Sequence, residues 1–271
     1  LGIGSDYLRK IPVDGDYRMD IVALETQIAA DRAAGLNPVC VAASAGTVNS
    51  GAIDPLDALA DLCEREALWF HVDGAYGGFG ILAEQTDGMF KGIERADSVA
   101  IDPHKWLYVP VECGCTIVRD AQAMRNAFSL VPAYLRDDQV LPWFSEFGIQ
   151  QTRGFKALKL WMVMQQIGMD GYRELISHDI AMAQALQAKL RARDDFELVT
   201  AGPLSVACFR YTPAGVHDVE GLNRKLVPIL QASGEAFLTG TELDGRFVLR
   251  ACVVNFRTTE ADLDRLLHAI V

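Results

Sequence analysis

Three short apolar segments, each running straight into an unusual loop, constrain this chain more than any other feature of its sequence. Residues 38–43 form a nearly continuous apolar run, the pattern of a strand buried on both faces. The run ends in the small-residue loop Ala45-Gly46-Thr47-Val48-Asn49-Ser50-Gly51. Residues 68–72 predict a second strand ending at Asp73-Gly74-Ala75-Tyr76-Gly77-Gly78. Residues 98–101 predict a third, running into Asp102-Pro103-His104-Lys105-Trp106. Helical patterns precede and separate them. Residues 18–35 place Met19, Ile21, Val22, Leu24 and Ile28 among acids and alanines, and Asp54-Pro55 opens a helix that runs to about Ala67. A fourth strand is expected over residues 114–118. This alternation implies an α/β fold with a parallel or mixed sheet and helices on its faces. Chemistry in such sheets gathers at the carboxyl ends of the strands, so the three loops can converge.

Further along, residues 153–193 read as helix in two stretches, interrupted near Gly168 and Gly171. Strand-like segments follow at 196–199, 205–211, 236–239 and 248–255, interleaved with helices at about 217–233 and 259–270. The pattern predicts a large domain over residues 1–193 and a smaller α+β domain over 194–271. With 271 residues, half of them hydrophobic, the chain can bury a core of that extent. A net charge of −11 argues against a nucleic-acid groove or an anionic membrane surface as partner. No apolar run approaches the roughly 18–20 residues that a membrane-spanning helix needs. The six cysteines are scattered and form no CxxC pair, although a strand at Cys113-Gly114-Cys115 would place both thiols on one face. Free, buried thiols in a reducing compartment are expected, which makes the cytoplasm the default location. The sequence opens at Leu1-Gly2-Ile3-Gly4 without an initiator Met or a signal-type stretch, as though a longer chain were entered partway.

Individually, the candidate residues keep two readings each. Lys105 lies in an apolar stretch after a strand; it is either a surface lysine with a buried stem or an imine-forming amine. Asp73 is either a turn or capping aspartate or the partner of a protonated pyridine nitrogen, with the small residues after it letting a flat ring approach the backbone. Thr47 is an ordinary loop threonine or a hydroxyl that contacts a cofactor or buttresses Asp73. Asp102-Pro103 equally suits a turn.

The order of these loops shifts the balance between the readings. The stretches AGTVNSGAIDPL (45–56), WFHVDGAYGG (69–78), DSVAIDPHKWL (97–107), VPAYLRD (131–137) and VLRACVVNFRTTEADLDRLL (248–267) resemble the group II pyridoxal-phosphate-dependent amino-acid decarboxylases, which include aromatic-amino-acid, histidine and glutamate decarboxylases. That resemblance implies the type I fold of pyridoxal-phosphate enzymes, with Lys105 as the Schiff-base lysine and Asp73 as the pyridinium partner. It places Ala75 against the ring, His104 beside the cofactor near its phosphate, and Thr47 in the loop supporting cofactor and substrate carboxylate. Tyr134 falls where the family keeps a tyrosine that protonates the substrate carbon after CO2 leaves; its bland reading is a packing aromatic. Two positions depart from the pattern: Val48 stands where many members have a second threonine, and Asp102 where many have asparagine. An aspartate near a phosphate repels it unless a donor intervenes. The resemblance further implies an L-amino-acid substrate, a homodimer with interface active sites, and an upstream segment supplying the ring-stacking histidine and phosphate loop. Other chemistry of the same fold remains open, namely aldehyde synthesis, C–C lysis, desulfuration or transamination, as does a catalytically silent half-chain that acts as a binding partner.

Overall fold

The structure is a computed structural model and describes residues 3–131 and 143–271. Strands β1 (Cys40–Ser44), β2 (Trp69–Asp73) and β3 (Ser98–Ile101) pair in parallel, and β4 (Cys115–Val118) closes the sheet antiparallel to β3. Helix α1 (Ile21–Ala33) precedes the sheet; α2 (Leu56–Glu66) connects β1 to β2 and packs on both. Asp20 caps α1 by accepting the amides of Val22 and Ala23, the role expected of an aspartate just before an apolar stripe. One-turn α3 (Pro103–Trp106) follows β3 directly, and α4 (Ala121–Phe128) follows β4.

The sheet has two unlike faces. Val41, Ala43, Phe70 and Val72 point into the core with Leu56, Leu59 and Leu62 of α2. On the opposite face Cys40, Ala42 and Asp73 are exposed, and His71 is half-buried. The expectation of a strand buried on both faces is therefore corrected. An apolar run shows that a second covering layer is tolerated, not that this chain supplies it. The thiols divide in the same way: all six are free, but Cys40 lies on the open face while Cys63, Cys113 and Cys208 are buried.

Helix α5 (Lys156–Arg191) breaks at Gly168, whose φ of 71° lies in the left-handed region that glycine enters freely. Before the break Leu158, Trp161 and Met162 are exposed; after it Tyr172, Ile176, Ile180, Ala183 and Leu186 are buried. A second sheet, fully antiparallel in the order β5-β6-β8-β7, comprises β5 (Phe196–Ala201), β6 (Val206–Tyr211), β7 (Thr239–Leu243) and β8 (Arg246–Cys252). Helices α6 (Val219–Ser233) and α7 (Glu260–Ile270) cover one side of it, around Phe209, Leu230, Leu249 and Leu263. Leu204, Val206 and Val248 join the first core instead. Strand β7 starts at Thr239 rather than at Ala236, and α4, capped by Asp120 through the amides of Gln122 and Ala123, buries none of its residues.

Asp54 ties the start of the chain to the sheet. It is 6% exposed, and its two carboxylate oxygens accept the amides of Met19 and Ser44, each at 2.7 Å. Burial pushes this carboxyl above its ordinary range, against the pull of those two bonds. Asp54→Ala leaves both amides without a partner and is expected to cost roughly 2–4 kcal/mol. Urea unfolding of the two proteins, compared at equal m-value, checks it.

Candidate active site

Because β1, β2 and β3 are parallel, the loops that follow them leave the sheet at one edge. Backbone bonds stitch them together there. The Ala45 amide donates to the Asp73 carbonyl at 2.8 Å, and the Gly74 amide donates to the Ala100 carbonyl at 2.8 Å. Gly77 sits against Gly46; a Cβ on Gly77 would stand 2.6 Å from the Gly46 Cα and 2.5 Å from the Ala45 carbonyl oxygen. Close approach, rather than backbone freedom, is what this glycine provides, so the Thr47 loop and the Asp73 loop touch.

Asp73 ends β2 on the open face of the sheet. One of its oxygens accepts the Ala75 amide at 3.0 Å, which shapes the turn and leaves the carboxylate facing solvent. Ala75 is half-buried beside it. On the same face, Ser98 Oγ accepts the Trp69 indole N–H at 2.8 Å and lies 2.8 Å from His71 Nδ1.

Lys105 occupies α3, one strand over. Its Nζ lies 2.7 Å from Asp102 Oδ2, with both side chains partly exposed. Asp102 is thus paired with the Lys105 ammonium in the ligand-free chain. His104 is pinned through Nδ1, 2.8 Å from the Cys113 carbonyl, and its Nε2 lies 3.9 Å from Asp102. Thr47 turns its hydroxyl inward, 2.7 Å from Ser50 Oγ and 3.2 Å from the Ala52 amide that it accepts. Asp73, Ala75, Asp102, His104 and Lys105 thus gather at one sheet edge with the Thr47 loop alongside. Tyr134 lies outside the described residues.

Sequence reasoning missed three residues around this edge. Arg250 of β8 donates from Nε to the Val48 carbonyl at 2.6 Å, fastening the Thr47 loop to the second sheet. Tyr76, stacked on Trp106, reaches Ser205 Oγ at 2.7 Å. Asp179, fully buried in α5, receives the Trp106 indole N–H at 2.8 Å and the Tyr108 hydroxyl. The only signal for Asp179 is an acid on the apolar stripe formed by Tyr172, Ile176, Ile180 and Ala183.

A primary amine and a carboxylate at neighbouring strand ends, on an uncovered sheet face, suit a flat aldehyde-bearing pyridine. Residues 2–212 match the pyridoxal-dependent decarboxylase conserved domain. The chain belongs to that family. It is 39% identical to an aromatic-L-amino-acid decarboxylase of Bacillus atrophaeus, over all of this chain and 58% of that relative. It is 35% identical to an L-2,4-diaminobutyrate decarboxylase of Rhizobium meliloti, over all of this chain and 55% of that relative. A crystal structure of Oryza sativa TDC with PLP and tryptamine superposes with a TM-score of 0.92 at 33% identity, covering 99% of this chain and 57% of that one. The fold is accordingly that of type I pyridoxal-phosphate enzymes. The chain spans a little over half the length of these relatives.

Proposed function

We propose that this chain carries the chemical half of a pyridoxal-phosphate-dependent decarboxylase that converts an L-amino acid to its amine and CO2. The placement of Asp73 at the carboxyl end of β2, on the sheet's open face, and of Lys105 in the turn that follows the adjacent parallel strand β3 carries this reading. Pyridoxal phosphate, when bound, supplies the electron sink that accepts the pair of electrons left as the carboxylate departs.

In this reading Lys105 is the residue that would hold the cofactor, its Nζ being the primary amine that an aldehyde would take. Asp73 holds a proton on the ring nitrogen through its solvent-facing carboxylate oxygen. Ala75 presents only a methyl group to the ring. His104, immobilised by Cys113, flanks the phosphate end, and Asp102 keeps the Lys105 amine in register. Thr47 supports its loop from within through Ser50 and Ala52, so it acts on cofactor and substrate carboxylate by placing backbone. Tyr134 returns a proton to the substrate carbon. The same reading divides the molecule near residue 194, which the separate apolar cluster of the second sheet supports. It also includes an L-amino-acid substrate, a homodimer and a cytoplasmic location. The exposed Phe144, Phe155, Trp161 and Met162 support a covering partner chain. Among the described residues, no helix is long and apolar enough to cross a membrane.

The test is incubation of the full chain with pyridoxal phosphate and a panel that includes L-tryptophan and L-2,4-diaminobutyrate, with CO2 and amine measured together. Release of both in equal amounts supports the reading. Borohydride should trap the cofactor on the peptide containing Lys105. Tyr134→Phe separates decarboxylation from other chemistry of this fold: amine formation is expected to fall by about 10²-fold or more, and in air aldehyde, ammonia and hydrogen peroxide should appear in its place, with dissolved O2 as the two-electron oxidant. A lyase or a transaminase would be indifferent to the change.

A further inference from the structure

We propose that Asp179 is a positioning residue for Lys105, holding the turn that carries the amine from beneath. This rests on the reading of Lys105 given above. Asp179 is completely buried, and one of its oxygens, Oδ1, has no hydrogen-bond partner. A buried carboxyl with one oxygen unpartnered is costly, and an isoleucine or leucine would continue the apolar stripe of α5 without that cost. What the acid provides is its other oxygen, Oδ2, which takes two donors from one short stretch. They are the indole N–H of Trp106 at 2.8 Å and the hydroxyl of Tyr108.

These donors come from the residue immediately after Lys105 and the residue three beyond it. Tyr108 holds a φ of 55°, a backbone state that a residue with a Cβ rarely adopts unless its surroundings impose it. The residue between the donors is gripped as well, since the Tyr172 hydroxyl of α5 donates to the Leu107 carbonyl at 3.1 Å. Helix α5 therefore contacts three consecutive residues that follow Lys105. Burial pushes the Asp179 carboxyl above its ordinary range while the Tyr108 and Trp106 bonds oppose that shift, and the adjacent His178 also lowers it.

On its other side the turn meets the Asp73 loop. The Trp106 ring stacks on Tyr76 with centroids 5.4 Å apart and planes 13° from parallel. Tyr76 lies three residues beyond Asp73, and its hydroxyl is fixed by Ser205, 2.7 Å from Oγ and accepting the Ser205 amide at 3.1 Å. A continuous buried chain, Asp179–Trp106–Tyr76–Ser205, therefore sets the Lys105 turn against the Asp73 loop. Both donors come from the short turn that follows the amine, so the acid fixes that turn as well as filling the core.

The test reads Lys105 directly in the cofactor-free full chain. Acetic anhydride labelling of Lys105 is measured by mass spectrometry against Lys91, whose side chain is 73% exposed and paired with Asp57. In Asp179→Leu the turn loosens and the Asp102–Lys105 pair is lost, so the Lys105/Lys91 ratio is expected to rise about threefold. Asp179→Asn keeps one oxygen for both donors and should stay at the wild-type ratio. Tyr108→Phe and Trp106→Phe each remove one donor and should move the ratio in the same direction by less. Melting temperatures are taken alongside, and labelling is done well below them. If Asp179→Leu does not fold, the Tyr108→Phe and Trp106→Phe ratios decide. Ratios unchanged in every folded variant, whatever the loss in melting temperature, would overturn the proposal. The readout uses no cofactor, so an absent borohydride-trapped adduct in the wild-type chain would sink the reading of Lys105 without touching this result.

Discussion

Replacement of Lys105 by alanine is expected to abolish the borohydride-sensitive absorbance band of the pyridoxal-phosphate-loaded chain and to lower CO2 release by at least about 10³-fold. The size follows from what the amine does. Without Nζ the chain would lose the amine at this site that could hold an aldehyde cofactor covalently. The fold should survive the change. The Lys105 side chain is more than a third exposed and ends on Asp102 rather than in the core, so its removal opens no cavity. Loss of that partly exposed pair is expected to change stability by less than about 1 kcal/mol. Lys91→Ala is the matched control, since it also removes a lysine paired with an aspartate. A Lys105→Ala chain that keeps the band, or keeps CO2 release within about threefold of wild type, would return Lys105 to the status of a surface lysine with a buried stem.

The site was legible in the sequence because its residues sit where a parallel sheet must place them. Strand β3 spans Ser98–Ile101 as its pattern predicts, and the loops bearing Thr47, Asp73 and Lys105 leave one edge because their strands run the same way. What the residues alone left ambiguous was their office. Lys105 and Asp73 each had an ordinary reading, and Asp73 does accept the Ala75 amide as a turn aspartate would. The order of the three loops, not any single one, is what favours the cofactor reading that Lys105→Ala and Asp73→Asn test. Two kinds of feature stayed hidden. One is the open face of β1, where Cys40 and Ala42 are exposed: an apolar run reports tolerance of burial and says nothing of which chain covers it. The other is Asp179, whose sequence neighbours point to a core stripe. Its partners Trp106 and Tyr108 lie some seventy residues away, a contact no local period encodes.

Asp73→Asn is the sharper probe of the electrostatics, because it removes a charge and keeps the local shape. Asparagine retains an oxygen that can accept the Ala75 amide, so the turn after β2 should hold. The Cα partners that set the strand in the sheet, Ser44 and Ala100, involve backbone alone. What disappears is the negative oxygen on the open face. An amide cannot hold the ring nitrogen's proton as a carboxylate does, and the electron sink weakens with it. Removing one preorganised electrostatic partner of this kind typically costs about 10²–10³ in kcat, and CO2 release is expected to fall by that factor. The borohydride-trapped adduct on Lys105 should still form, since the covalent seat is intact, and the melting temperature of the cofactor-free chain should not move. That combination distinguishes a cofactor partner from a capping aspartate. A capping role predicts the opposite pattern: Asn serves nearly as well as Asp, and turnover is unchanged.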